Sequence, residues 1–149
     1  MKFAKDIMSS PVITVTPETS LQELAKILAD HRITGVPVVD NQGDLLGIVT
    51  ETDLLYTEKP LHIPTFVTIF DSLLFFENPF KLDQELKRLT ASKVADIYSK
   101  DCLTIKINTP VEDIASLMIQ EKKYLLPVLD EADKLVGIVS RADMLTLIN

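Results

Sequence analysis

The chain says the same thing twice. Gly47-Ile48-Val49-Thr50-Glu51-Thr52-Asp53 returns ninety positions later as Gly137-Ile138-Val139-Ser140-Arg141-Ala142-Asp143. The lead-ins also match, Pro37-Val38-Val39-Asp40 against Pro127-Val128-Leu129-Asp130. The alignment runs without a gap from residues 4–55 to residues 94–145, with identities at Asp6/Asp96, Ser9/Ser99, Thr14/Thr104, Thr19/Thr109, Ala25/Ala115, Leu45/Leu135 and Leu55/Leu145. A self-match at fixed offset means one supersecondary unit used twice. A unit of about fifty residues buries too little apolar surface to offset its chain entropy, so two copies are expected to share one core.

Each copy reads β-α-β-β-α. Residues 12–15 and 102–105 are β-type runs. Thr109-Pro110-Val111-Glu112 has the form of a capping box with proline at the first helical position, and Thr19-Ser20-Leu21-Gln22 is its counterpart. Leu21, Leu24, Ala25 and Leu28 recur at helical spacing, as do Val111, Ile114, Ala115 and Met118; these helices end near His31 and Glu121. Two strands follow in each copy, 36–39 with 45–49 and 126–129 with 135–139. Asp40-Asn41-Gln42-Gly43-Asp44 and Asp130-Glu131-Ala132-Asp133-Lys134 supply the turn chemistry between them. A second helix opens at Thr50 and at Ser140. The fold class is therefore α/β (α+β): two β-α-β-β-α repeats packed with pseudo-twofold symmetry.

The division expected is 1–57 for the first repeat, 58–92 for an insert and 93–149 for the second repeat. The insert is too long for a plain linker. It carries Phe66, Phe70, Phe75, Phe76 and Phe80, and residues 81–89 read as an amphipathic helix. Such an apolar stretch needs cover, from its own module or from another subunit.

Several functions are disfavoured. The net charge is −7, and the basic residues form no patch larger than pairs such as Lys87/Arg88 and Lys122/Lys123, so nucleic acid is not an expected partner. The single cysteine, Cys102, excludes an internal disulfide and fits a reducing compartment. The most apolar region, 63–80, is interrupted by Pro64, Asp71, Glu77, Asn78 and Pro79, short of the roughly 20 apolar residues a span needs. No long apolar run follows the first lysines, as a signal peptide would require. Neither membrane insertion nor export is expected, and the expected location is cytoplasmic. His31, His62 and Cys102 share no metal-ligand spacing. No Ser-His-Asp set, Walker-type loop or paired acid–base carboxylates is visible, so no catalytic residue is assigned.

The chemistry that is visible sits in Thr50-x-x-Asp53 and Ser140-x-x-Asp143. A carboxylate suits the two hydroxyls of a ribose, as in dinucleotide folds. A hydroxyl beside backbone N–H groups at a helix start suits a phosphate. The same spacing is also that of a capping box, which needs no ligand.

With Ile7-Met8, Thr14-Val15-Thr16-Pro17, the run from Arg32 to Asp40 and the Gly-to-Asp strings, each in order and in register in two copies, the chain resembles the cystathionine-beta-synthase (CBS) domain family. It is similar to a tandem pair, a Bateman module, standing alone. The resemblance implies an adenosine-containing regulatory ligand (AMP, ADP, ATP or S-adenosylmethionine), a regulated partner protein of unknown identity, and a homodimer. It implies two clefts, each joining the front of one repeat to the Gly-to-Asp string of the other. The first takes Ile13, Ile33, Thr34, Gly35 and Pro37 with Ile138, Ser140, Arg141 and Asp143. The second takes Leu103, Lys123, Tyr124, Leu125 and Pro127 with Ile48, Thr50 and Asp53. Gly35 leaves more room for a base than Leu125, which favours the first cleft. Arg32, Arg141, Lys122 and Lys123 are the cations available to a phosphate. The alternative is a ligand-free dimerisation or interaction scaffold.

Overall fold

The computed structural model describes residues 1–55 and 92–148, so the expected helical insert, apart from Ser92, lies outside the described residues. The elements of the first repeat are α1 (Ala4–Ile7), α2 (Leu21–His31), β1 (Gly35–Val39), β2 (Leu45–Thr50) and α3 (Glu51–Leu55). The second repeat gives a 3-10 turn (Val94–Asp96), β3 (Ile105–Lys106), α4 (Val111–Glu121), β4 (Leu125–Leu129), β5 (Leu135–Ser140) and α5 (Arg141–Leu145). Within the described residues, the long helix and the two hairpin strands expected in each repeat are present at matched positions in both copies.

The identities between the copies have local causes. Asp6 accepts from the Phe3 N–H at 2.8 Å and Asp96 from the Lys93 N–H at 3.1 Å, each closing the turn that opens its repeat. Asp40 Oδ1 accepts from the N–H groups of Gln42 and Asp44, both at 2.9 Å. Asp130 Oδ1 does the same for Ala132 and Lys134 at 2.8 and 2.9 Å, so one Asx-type turn links the strands of both hairpins. Thr19 Oγ1 accepts from the Thr16 N–H and Thr109 Oγ1 from the Lys106 N–H, at 3.1 and 3.0 Å. This corrects the capping box read at 109–112. Thr109 faces back into the preceding turn, and Pro110 (φ −63, ψ 147), which has no side-chain acceptor, takes the N-cap place of α4. In α2 the cap is Ser20, whose Oγ accepts from the Glu23 N–H at 3.1 Å. Both helices end on a left-handed residue, Arg32 (φ 54) and Lys122 (φ 54).

The expected first strands are shorter than read. In the first copy the run is reduced to one parallel bridge, Val15 to Val38. In the second it is β3, shifted toward 105–106 and parallel to β4 through Ile105↔Val128 and Lys106↔Leu129. β4 is the central strand of the β3-β4-β5 sheet and runs antiparallel to β5, with Leu125 opposite Ser140 and Pro127 opposite Ile138. Pro127 thus lies just before the residues of β4 that pair with β3, where its missing N–H breaks no bond of that ladder.

Two compact units emerge, and each draws on both repeats. One comprises Met1–Thr14, Val39–Gly47 and Lys100–Asn149; the other comprises Val15–Val38 and Ile48–Ser99. Within the first, Ser9 and Ile138 exchange backbone bonds at 2.9 and 3.2 Å; within the second, Ser99 and Ile48 do so at 2.9 Å each way. The leading segment of each repeat therefore pairs with the Gly-to-Asp string of the other. The core of the first unit is Ala4, Ile105, Ile114, Met118, Leu126, Val128 and Val139, with Met8 and Leu103 packed on its margin. The second buries Leu21, Leu24 and Leu28 of α2 with Val36, Val38, Val49, Leu54 and Val94. Burying each such aliphatic side chain contributes about 1.5–3 kcal/mol.

Candidate functional site

In each unit a strand edge, a hydroxyl and a carboxylate form a small ledge. In the first unit, β5 ends at Ser140 and α5 begins. Asp143 Oδ2 accepts from the Ser140 N–H at 2.8 Å and from Ser140 Oγ–H at 3.1 Å; Ser140 Oγ in turn accepts from the Asp143 N–H at 3.2 Å. In the second unit, Asp53 Oδ2 accepts from the Thr50 N–H at 2.9 Å and its hydroxyl at 3.2 Å, and Thr50 Oγ1 accepts from the Asp53 N–H at 3.3 Å. Both are reciprocal capping boxes, so the structural role of these residues is real. One carboxylate oxygen of each is spent on it. The other, Oδ1, accepts no hydrogen bond from the described residues, and Asp53 and Asp143 are both half-buried.

The neighbouring strand docks on each helix start through the same backbone bond. Arg141 N–H donates to the Tyr124 carbonyl at 3.0 Å, and Glu51 N–H donates to the Thr34 carbonyl at 2.7 Å. Tyr124 is exposed, and the Arg141 guanidinium lies over its ring, 4.8 Å from the centroid. Lys123 is half-buried, its ammonium donating to the Asp101 carbonyl oxygen at 3.3 Å and pairing with its carboxylate at 3.4 Å.

The expected site residues fall into these two units as follows. Ile13, Leu103, Lys123, Tyr124, Leu125, Pro127, Ile138, Ser140, Arg141 and Asp143 belong to the first; Ile33, Thr34, Gly35, Pro37, Ile48, Thr50 and Asp53 belong to the second. Ile13, Ile33, Leu103, Leu125 and Ile138 are half-buried apolar side chains, and Thr34 is exposed. Pro37 and Pro127 are fully buried within their strands, and the Pro37 carbonyl accepts from the Val15 N–H at 3.1 Å. Burial beside this region also pushes the Cys102 thiol up, with Lys123 opposing and Asp101 adding to the shift. Arg32 and Lys122 hold the C-caps of α2 and α4. Glu51 and Asp101 were not among the residues singled out from the sequence. The signal for Glu51 was present in the repeat alignment, where it stands opposite Arg141. Among the described residues no cluster of His, Cys, Asp or Glu is able to hold a metal ion, and no helix is long and apolar enough to cross a membrane.

The profile of the CBS domain matches residues 4–59 and 94–149. The chain belongs to the CBS domain family. Among its relatives, a CBS domain-containing protein of Dictyostelium discoideum is 34% identical over 147 residues, which is 98% of this chain and 90% of that protein. The CBS domain pair of protein MJ0100, in a crystal structure with 5′-methylthioadenosine and S-adenosyl-L-methionine, is 28% identical with a TM-score of 0.70, over 99% of this chain and 96% of that one. The crystal structure of CBSX2 in complex with AMP has the same fold, with a TM-score of 0.70 at 23% identity over 99% of this chain and 96% of that one. The ledges of this CBS pair are therefore the ends of the Gly-to-Asp strings, one per CBS repeat.

Proposed function

We propose that this CBS pair is a regulatory module that binds an adenosine-containing small molecule, of the class AMP, ADP, ATP or S-adenosylmethionine, and passes its bound state to a partner protein. The observation that carries the reading is the uncommitted Oδ1 of Asp53 and of Asp143. Each carboxylate is already oriented by its cap, and its second oxygen is left to accept from a ribose diol. Ligand binding then adds to the capping role without dismantling it. The half-buried apolar residues around the ledges suit a purine ring. Helices α3 and α5 are five residues long, so their dipoles offer a phosphate little; side-chain cations such as Arg141 meet that charge. The adenosine ligands of the MJ0100 pair support the ligand class.

Joining the front of each repeat to the opposite string as two clefts, with the first favoured, belongs to this proposal, as does the division into repeats 1–57 and 93–149 flanking the insert. So do a cytoplasmic location and the absence of catalysis. A ligand shifts the module only by its differential affinity for two arrangements, so regulation here is binding coupled to packing. Purified protein is expected to turn over neither ATP nor AMP.

The test is Asp143→Ala. Asp143 is the third-position partner of the capping box and the N-cap Ser140 is retained, so the variant is expected to stay folded, and its affinity for the adenosine ligand is expected to fall severalfold or more. Unchanged affinity in a folded variant would remove the first cleft.

One observation bears on assembly rather than on the choice between the ligand-binding and scaffold readings. Ile119 (73% exposed), Leu145 (57%) and Ile148 (79%) are apolar side chains left in solvent by one chain. They fit the expected homodimer under either reading. A monomer by sedimentation at micromolar concentration would count against that assembly.

A further inference from the structure

The two ledges have the same backbone and different charge. The bonds from Arg141 N–H to the Tyr124 carbonyl and from Glu51 N–H to the Thr34 carbonyl put Arg141 and Glu51 in equivalent places, each the first residue of its helix and each exposed. Lys123 stands one residue before Tyr124; its match, one residue before Thr34, is Ile33. Beside the shared aspartate, then, the second-repeat ledge offers the Arg141 guanidinium. Among the described residues, the first-repeat ledge offers the Glu51 carboxylate in that place. The Arg141 guanidinium is held over the Tyr124 ring, which lowers the entropy lost when it meets an anion. Lys123 shares its charge with Asp101 at 3.4 Å, whose match in the first repeat is Pro11. Arg141 is thus the main discriminating group.

We propose that the two ledges sort adenosine ligands by charge. The Ser140-Arg141-Asp143 ledge takes a phosphorylated adenosine, and the Thr50-Glu51-Asp53 ledge takes an adenosine bearing a cationic 5′ group, of the sulfonium class. The inference rests on the adenosine reading above and goes further by assigning a ligand class to each ledge. Phosphate oxygens and a guanidinium form charge-assisted, bidentate hydrogen bonds. Glu51 repels a phosphate and attracts a sulfonium or ammonium in the same place. The chain then reports on two different metabolite classes at once.

Isothermal titration of the full chain with AMP, adenosine and S-adenosylmethionine tests this. The expected result is one strong AMP site per chain, and S-adenosylmethionine binding that persists under saturating AMP. Arg141→Gln should cut the preference for AMP over uncharged adenosine about tenfold, the order of one charge-assisted contact. Glu51→Arg should create a second AMP site. The proposal is overturned if AMP fills two equal sites, if AMP and S-adenosylmethionine compete for one, or if Arg141→Gln leaves the AMP-to-adenosine ratio unchanged. In each of those cases adenosine binding itself would survive. Binding of none of the three probes would instead remove the adenosine reading, and this inference with it. Both substituted side chains are exposed, so the variants are expected to fold.

Discussion

Gly137 stands at a close approach between the leading segment of the chain and the second Gly-to-Asp string. A Cβ there would lie 2.5 Å from Met8 Sδ, 2.9 Å from Met8 Cγ and 3.1 Å from the Ser9 carbonyl oxygen. Comfortable carbon contacts begin at roughly 3.5 Å, so the sulfur must move by about an ångström. The Ser9 backbone cannot yield easily, because it exchanges bonds with Ile138 at 2.9 and 3.2 Å. Met8 must therefore swing, and it packs on the core of its unit. Overpacking of this kind costs about 1–3 kcal/mol, and reduced freedom of the unfolded chain returns about 0.4–1. Gly137→Ala is expected to lose about 1–2 kcal/mol net, read as a lower urea midpoint with unchanged slope. At about 2–4 °C per kcal/mol for a chain of this size, the thermal midpoint falls several degrees. In a Met8→Ala background the same substitution should cost less, with a coupling of at least about 0.5 kcal/mol. A Gly137→Ala protein as stable as wild type, or strictly additive costs, would refute the close approach as the reason for glycine.

Two further predictions concern single residues. Gly43 has φ +84 and open space around a built Cβ, so Gly43→Ala should cost only the backbone term, about 1–2 kcal/mol. Gly43→Asp should cost less, because Asp133 holds the matching place with φ 61; urea titration of both variants decides this. Burial raises the Cys102 thiol above its usual value. The unfolded thiol titrates near about 8.5, so the unfolded chain loses that proton first as pH rises. This contribution to stability is full below about 8.5 and is lost as pH rises through the folded value. The fall in urea midpoint between pH 7 and pH 9.5 should be smaller in Cys102→Ala, and alkylation of Cys102 should be slower in the folded protein than in urea at the same pH. Equal falls and equal rates would contradict the assignment.

The repeat made most of the fold legible, because a periodicity seen twice at matched places is hard to misread. α2 and α4 ended at His31 and Glu121 as their apolar spacing required, and both hairpins fell where Asp40 and Asp130 could tie their turns. What failed was short and context-dependent. α1 carries four residues and is closed by one side-chain bond from Asp6, too little to leave a period. The first strands were misread because their length is set by how far the partner strand reaches, which composition does not reveal. Thr109 was read as a cap because the capping-box pattern does not say whether a threonine faces forward into a helix or back into a turn. At the ledges, Thr50, Asp53, Ser140 and Asp143 were legible from the strings themselves. The stacking of Arg141 on Tyr124 and the tether of Lys123 to Asp101 were not, since they depend on which strand lies beside which helix start.

The central claim, that this CBS pair binds an adenosine ligand, is tested most directly by thermal unfolding of the purified protein with AMP, ADP, ATP, S-adenosylmethionine and NADH at millimolar concentration. A ligand at 100 times its dissociation constant adds about 2.7 kcal/mol to the folded state, which raises the midpoint by several degrees for a chain of 149 residues. A clear rise with at least one adenosine compound, lost in Asp143→Ala or Asp53→Ala, is the predicted result. No rise with any of the five would contradict the claim and leave the interaction scaffold as the reading to pursue.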